Sequence, residues 1–228
     1  MTLKVILVFD LDDTLYPERQ FALSGFAAAE RWAEATLGVT GLAADMLRLL
    51  DEGHLGQLFG RALAERMPDH RPEHLTGLRE AYRNHLPSLT LFDDAAWALS
   101  HFGAQLTLGL ITDGSHGVQR RKVEALGVAR HFREIIYTDA LGGRAFSKPH
   151  QQSFQLMQAA LGGAGERFVY VGDNPSKDFL APNALGWLSV MIDRPGAQRI
   201  HAGARPAAGG QPQRTIASLT ELPALLTL

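Results

Sequence analysis

Apolar positions in this chain come in short blocks whose period changes along the sequence. Lys4 to Phe9 (KVILVF) is a β-branched run stopped at once by acidic residues, the pattern of a parallel strand buried on both faces. From roughly Gln20 to His85 the texture shifts to Ala, Leu, Glu and Arg broken by Gly38, Gly41, Gly53, Pro68 and Pro72, which predicts several helices and almost no strand. Asp93 to Phe102 predicts a further helix with Asp93 as its cap.

Strand and helix then alternate. Strands are predicted at Gln105–Ile111, Glu134–Tyr137, Arg167–Val171 and Trp187–Ile192. Helices are predicted at Val118–Leu126, closed by Gly127, at Gln151–Leu161, and at Ser176–Leu185, closed by Gly186. Arg194 to Arg214 is rich in Gly, Pro and Ala and predicts a mobile loop, and Ala217 to Leu226 a short terminal helix. Such alternation implies a parallel sheet wrapped by helices. The layout is an α/β core, residues 1–15 and 90–228, interrupted at 16–89 by a helical insert. Trp32, Trp97 and Phe102 read as core residues.

Composition narrows the function classes. With 228 residues the chain suits one core domain plus an insert, and a formal charge of -2 offers no basic field for nucleic acid. The absence of cysteine excludes disulfides, thiolate zinc sites and cysteine nucleophiles. The first apolar run is too short for a membrane span or a signal-peptide core, so a cytoplasmic location is expected.

Chemistry gathers at the predicted strand ends. The first strand runs into Asp10-Leu11-Asp12-Asp13-Thr14, the second into Thr112-Asp113-Gly114, and a later one into Gly172-Asp173-Asn174-Pro175-Ser176-Lys177-Asp178; Ser147-Lys148-Pro149 precedes a helix. In open α/β sheets, ligands bind outside the carboxyl ends of the strands, which would bring these groups into one crevice. Two unit charges ~4 Å apart repel by on the order of 4 kcal/mol near a surface, so clustered carboxylates call for a cation. All-oxygen ligands without a histidine set favour Mg²⁺, with Lys148 as a point charge for a phosphoryl group. Thr112 adds a hydroxyl and the Asp113-Gly114 turn backbone N–H groups. Singly, an aspartate after a strand is usually a cap or turn former, and Asp13 reads as structural.

These residues resemble the haloacid dehalogenase superfamily of phosphohydrolases. Asp10 to Leu15 looks like its first motif, Thr112 its second, Lys148 its third, and Gly172-Asp173 to Asp178 its fourth. The resemblance implies a doubly wound, Rossmann-like core with a helical cap, and a Mg²⁺-dependent phosphatase of small phosphorylated metabolites: sugar phosphates, phosphoglycolate-like esters or nucleoside monophosphates. It implies Asp10 as nucleophile forming an aspartyl-phosphate, Asp12 as general acid and base, and Lys148 and Thr112 on the phosphoryl group. Asp10, the Asp12 backbone carbonyl and Asp173 would hold the metal, with Asp178 a further ligand through water or from behind. Dehalogenating relatives lack the acid that Asp12 provides. Asp113 stands where many relatives have Asn, and if its side chain faced the substrate it would disfavour acidic leaving groups.

Arg19, Gln20, Phe21 and His54 of the insert are candidates to read the leaving group, or else hinge and turn residues; His116 and His150 are candidates to line the crevice. His70 and His74 have the spacing of helical metal ligands, but Pro72 between them and the lack of a third ligand argue against a site. Two alternatives remain: a phosphomutase of the β-phosphoglucomutase type, and a non-enzymatic phospho-acceptor or ligand-binding protein. No nucleic-acid or membrane partner is expected, and the assembly is expected to be a monomer or homodimer.

Overall fold

The computed structural model describes residues 4–162, 165–200, 203 and 205–226. By its internal contacts the chain divides into two units: one is Met1–Glu18 with Thr90–Leu228, the other Arg19–Leu89.

The first unit is built on six parallel strands: β1 (Val5–Phe9), β2 (Thr107–Thr112), β3 (Glu134–Tyr137), β4 (Arg167–Gly172), β5 (Leu188–Ile192) and β6 (Arg214–Ile216), in the order β3-β2-β1-β4-β5-β6. The chain leaves β1 toward one edge and returns through β4 toward the other, so the strand order reverses beside β1. That reversal opens a crevice at the carboxyl ends of β1 and β4. All five residues of β1 are buried, as a strand covered on both faces demands. Val5 pairs with Arg167 and Phe9 with Val171, and the Asp10 N–H continues the ladder onto the Val171 carbonyl at 2.8 Å. Register therefore carries Asp10 to the end of β4 without any side-chain contact.

The flanking helices are α5 (Asp93–Gly103), α6 (His116–Leu126), α7 (Gln152–Leu161), α8 (Leu180–Ala184) and α9 (Leu222–Leu225). Phe154 of α7 is fully buried, edge-on to Tyr170 of β4 at 5.0 Å and to Trp187 at 5.6 Å. Gly127 closes α6 in the left-handed conformation at φ 63°.

The second unit holds four helices, α1 (Glu18–Leu37, whose first residue belongs to the first unit), α2 (Leu42–Asp51), α3 (Leu58–Arg66) and α4 (Pro72–Asn84), and among the described residues no strand. Buried Phe21 and Phe26 form an aromatic cluster there with the half-buried Phe59 and Tyr82. α1 and α4 approach closely at Gly77, where a Cβ would collide with the Trp32 ring.

Five sequence expectations need correction. The helix expected at Ser176–Leu185 shrinks to α8, because Asn174 Oδ1 takes the Ser176 N–H and hydroxyl while Asp178 Oδ2 takes the Asn174 N–H; side chains capture the backbone donors that would start a helix. Asp93 does not cap α5: Phe92 is the cap residue, and Asp94 binds Arg194 instead. Trp97 is not core; it is 36% exposed and stacks on His101. The 194–214 segment is anchored among its described residues, while His201, Ala202 and Ala204 lie outside them. Arg194 grips Asp94 and the carbonyls of Asp13 and Thr14 over the Phe92 ring, and Arg214 opens a sixth strand. The expected terminal helix is a 3₁₀ turn, Leu219–Glu221, followed by α9.

Truncating Phe154 to Ala is expected to lower the unfolding free energy by about 3–5 kcal/mol, since it empties a closed aromatic site under β4. Urea denaturation followed by tryptophan fluorescence measures it.

Candidate active site

The first polar residue past β1 is Asp10, which is itself buried at 1% exposure. Asp10 Oδ1 accepts the Leu11 N–H at 2.8 Å and faces Lys148 Nζ at 2.9 Å. Asp10 Oδ2 is buried and makes no hydrogen bond. Lys148, itself buried, also reaches Asp178 Oδ1 at 2.8 Å and the Tyr170 hydroxyl at 2.8 Å. Asp178 is held in turn by the Asn174 N–H, and it lies so close to β4 that a Cβ on Gly172 would sit 2.6 Å from its Oδ2. The glycine of the Gly172-Asp173 pair makes that approach possible.

Electrostatics explain the tension in this cluster. Burial pushes the Asp10 carboxyl up to about 6, against the pull of Lys148 and Lys177. Burial pushes Asp173 further, to about 9, with the charges of Asp178 and Asp10 adding to it. For Lys148, burial is outweighed by Asp10, Asp178 and Asp113, which hold its ammonium well above the ordinary lysine value.

Asp10, Asp173 and Asp178 each offer an oxygen, all within 4.8 Å of one another. A hard divalent cation fits this set: every donor is a carboxylate oxygen, Asp10 keeps one buried oxygen that makes no hydrogen bond, and burial and neighbouring carboxylates make Asp173 resist ionisation. The Asp12 side chain lies outside the group.

Asp12 has a different surrounding. Its Oδ1 meets Lys122 Nζ at 2.7 Å and the Tyr16 hydroxyl at 2.5 Å, and its Oδ2 accepts from Gln119 Nε2 at 2.8 Å. Burial opposes its charge, but these donors hold the carboxyl below its ordinary value. Glu18, 3.8 Å from Lys122, is pushed up to about 8 by burial and by the Asp12 charge. Thr112, at the end of β2, is buried, and its Oγ1 accepts from the same Gln119 nitrogen at 2.5 Å.

Asp113 is tied into the protein. Its Oδ1 accepts from the Thr138 hydroxyl at 2.8 Å and the Lys148 N–H at 3.1 Å, and its Oδ2 meets Lys177 Nζ at 3.1 Å. Burial is outweighed by Lys148 and Lys177, so this carboxyl sits low and ionised. The carboxylate anchors the Lys148 segment, and its charge is answered from within the site.

Asp13 has a structural place. It adopts φ 51° and accepts the N–H groups of Glu18 and Ile200. His116 starts α6, donates its N–H to Asp139 and leans its ring on Tyr137. His150 packs on Phe146 and accepts from the Gln152 N–H. In the helical unit, Arg19 pairs with Asp51 at 2.6 Å and His54 lies 3.5 Å from Glu52. His70 and His74 bond neighbouring backbone groups, each within its own turn. The sequence reading missed Lys177, Gln119, Lys122 and Glu18. The last turn before the fourth-motif Asp178 carries Lys177, and the buried face of α6 carries Gln119 and Lys122 beside Val123.

The model of the haloacid dehalogenase-like hydrolases matches residues 5–186. The chain belongs to this family. A phosphoserine phosphatase of Thermus thermophilus is 28% identical over 83% of the chain and 88% of its own length. A glyceraldehyde 3-phosphate phosphatase of Methanocaldococcus jannaschii is 29% identical over 82% of the chain and 83% of its own. The HAD-hydrolase YfnB of Bacillus subtilis shares the fold, with a TM-score of 0.69 at 17% identity, over 99% of this chain and 100% of its own. The chain is a phosphoric monoester hydrolase of the haloacid dehalogenase superfamily, on the Rossmann-like fold of its relatives. Among the described residues no helix is long and apolar enough to cross a membrane.

Metal dependence should appear in stability. Burial and then the charges of Asp178 and Asp10 push the folded Asp173 carboxyl up to about 9 from an ordinary 3.8. The folded state thus holds a proton that the unfolded state releases, and stability falls as pH rises across that window. In thermal melts with EDTA, Tm is expected to fall steadily from pH 5 to pH 8.5. If Mg²⁺ binds this group, adding it at roughly a hundred times its Kd is expected to contribute about 2.7 kcal/mol, a gain of roughly 5–10 °C that grows toward high pH.

Proposed function

We propose that this chain is a Mg²⁺-dependent phosphatase that hydrolyses small phosphorylated metabolites through an aspartyl-phosphate on Asp10. The observation that carries this reading is the Asp10 carboxylate: one oxygen is held by Leu11 and Lys148, and the other is buried and makes no hydrogen bond, with Lys177 Nζ 3.8 Å away. A carboxylate so fixed is pre-oriented to attack, because the hydrogen bonds to one oxygen set the direction of the other.

In this reading Asp10 Oδ2 attacks phosphorus, and the ester P–O bond breaks. Asp12 gives its proton to the departing alcohol oxygen. Water then attacks the phosphoryl group, Asp12 takes the water's proton, and Asp10 leaves as a carboxylate. Thr112 and Lys148, with backbone N–H groups of the 113–114 turn, would bind the phosphoryl oxygens. Asp10, Asp173 and Asp178, with the Asp12 carbonyl, would hold Mg²⁺, which supplies charge neutralisation to the phosphoryl oxygens. The relatives' names point to phosphorylated amino acids and short sugars as first candidates, beside phosphoglycolate-like esters and nucleoside monophosphates. Arg19 and His54 of the helical unit are the residues to test for leaving-group recognition, and that unit would serve as the cap.

The test is phosphate release from a panel of about fifty phosphorylated metabolites with Mg²⁺. Expected is release abolished by EDTA and, for Asp10→Asn, lowered by at least about 10³-fold; Asp12→Asn should cost about 10²–10⁴-fold in kcat. No release from any ester, generic aryl phosphate included, would overturn the phosphatase reading. Activity that depends on a sugar bisphosphate and yields little free phosphate would replace it with a mutase.

A further inference from the structure

One turn apart on α6, Gln119 and Lys122 share the helix face turned to the site. The Lys122 side chain is only 4% exposed. Its ammonium lies 2.7 Å from Asp12 Oδ1 and 3.8 Å from Glu18. Burying a lysine costs free energy unless it is paired, and the pairing here falls on the residue assigned to proton transfer. Gln119 is 1% exposed, and its single amide nitrogen bridges Asp12 Oδ2 and Thr112 Oγ1.

We infer that Lys122 and Gln119 are positioning residues for Asp12: together they fix the direction in which its carboxyl meets the leaving-group oxygen. Lys122 and Tyr16 hold one oxygen, and Gln119 holds the other. Gln119 further ties that direction to Thr112, and so to the phosphoryl group that Thr112 would bind. A carboxyl with free rotation about its last torsion would spend much of its time misdirected; three donors on two oxygens remove that freedom. The inference rests on the phosphatase reading and adds to it two residues from outside the strand-end motifs.

A purely structural ion pair would slow every substrate alike, whereas a misdirected acid slows only esters whose leaving group needs a proton. The measurement is kcat/KM, which covers the steps up to phosphoryl transfer onto Asp10, for p-nitrophenyl phosphate and for the best alkyl phosphate of the panel. Lys122→Met is expected to lower the alkyl value by about 30-fold or more and the p-nitrophenyl value by less than about threefold. Gln119→Leu, which leaves no buried charge behind, should show the same split at about tenfold, and it keeps the test open if Lys122→Met fails to fold. In an Asp12→Asn background Lys122→Met should add less than about twofold, because there is no acid left to aim. Equal losses on both esters, or a full multiplicative loss in the double variant, would overturn the inference and leave the phosphatase reading standing. A wild type that hydrolyses neither ester would overturn both.

Discussion

The Lys148 ammonium, buried between Asp10 and Asp178 at 2.9 and 2.8 Å, is the interaction on which the core site depends. Taking charges out of water costs several kcal/mol per ion, recovered only where partners and geometry are both good. Lys148 has both, and the surrounding structure is arranged to keep it so: Tyr170 bonds its head, Asp113 holds its backbone N–H, and Asn174 holds Asp178. Four carboxylates (Asp10, Asp113, Asp173, Asp178) face two ammonium groups (Lys148, Lys177). Two negative charges are left over, the charge of one divalent cation. The elevated Asp173 shows where that surplus is felt.

Topology explains how charges so far apart in sequence converge. Strand order reverses beside β1, and parallel register brings the ends of β1 and β4 to one level, so Asp10 and Asp173 emerge side by side. β2, on the other side of β1, ends at Thr112. The apolar strands fix the site by running out at the same height, and the polar residues that follow have no choice of neighbour.

What could be read from the chain follows from the same fact. Strands buried on both faces leave continuous apolar runs, and β1, β3 and β4 were legible with ends shifted by no more than a residue. The residues just past those runs were legible with them: Asp10, Asp173 and Asp178 meet as carboxylates, with Lys148 among them. Gln119, Lys122 and Glu18 were not. Their partners lie on other elements, and a lysine on a helix reads as solvated until something shows which face is covered. The 194–214 segment failed for the opposite reason. Its composition signals freedom, but Arg194 supplies long-range bonds to Asp94, Asp13 and Thr14 that composition does not encode. The helix expected from Ser176 lost to local competition, since Asn174 and Asp178 side chains claim the backbone donors first.

Asp10 and Asp12, two residues apart, sit in opposite fields: one carboxyl is pushed up to about 6 and the other held low. At first sight this inverts the duties proposed for them, because a nucleophile needs its charge and an acid needs its proton. The inversion belongs to the free site. A divalent cation beside Asp10 favours its ionised form, and a phosphoryl dianion arriving near Asp12 adds like charge that raises its affinity for a proton. Substrate and cation together would move each group toward its task, and in the second step a well-held carboxylate is what a general base requires. The donors around Asp12 therefore do not argue against proton transfer. In the proposed mechanism they would keep the residue charged and aimed until the substrate changes the field around it.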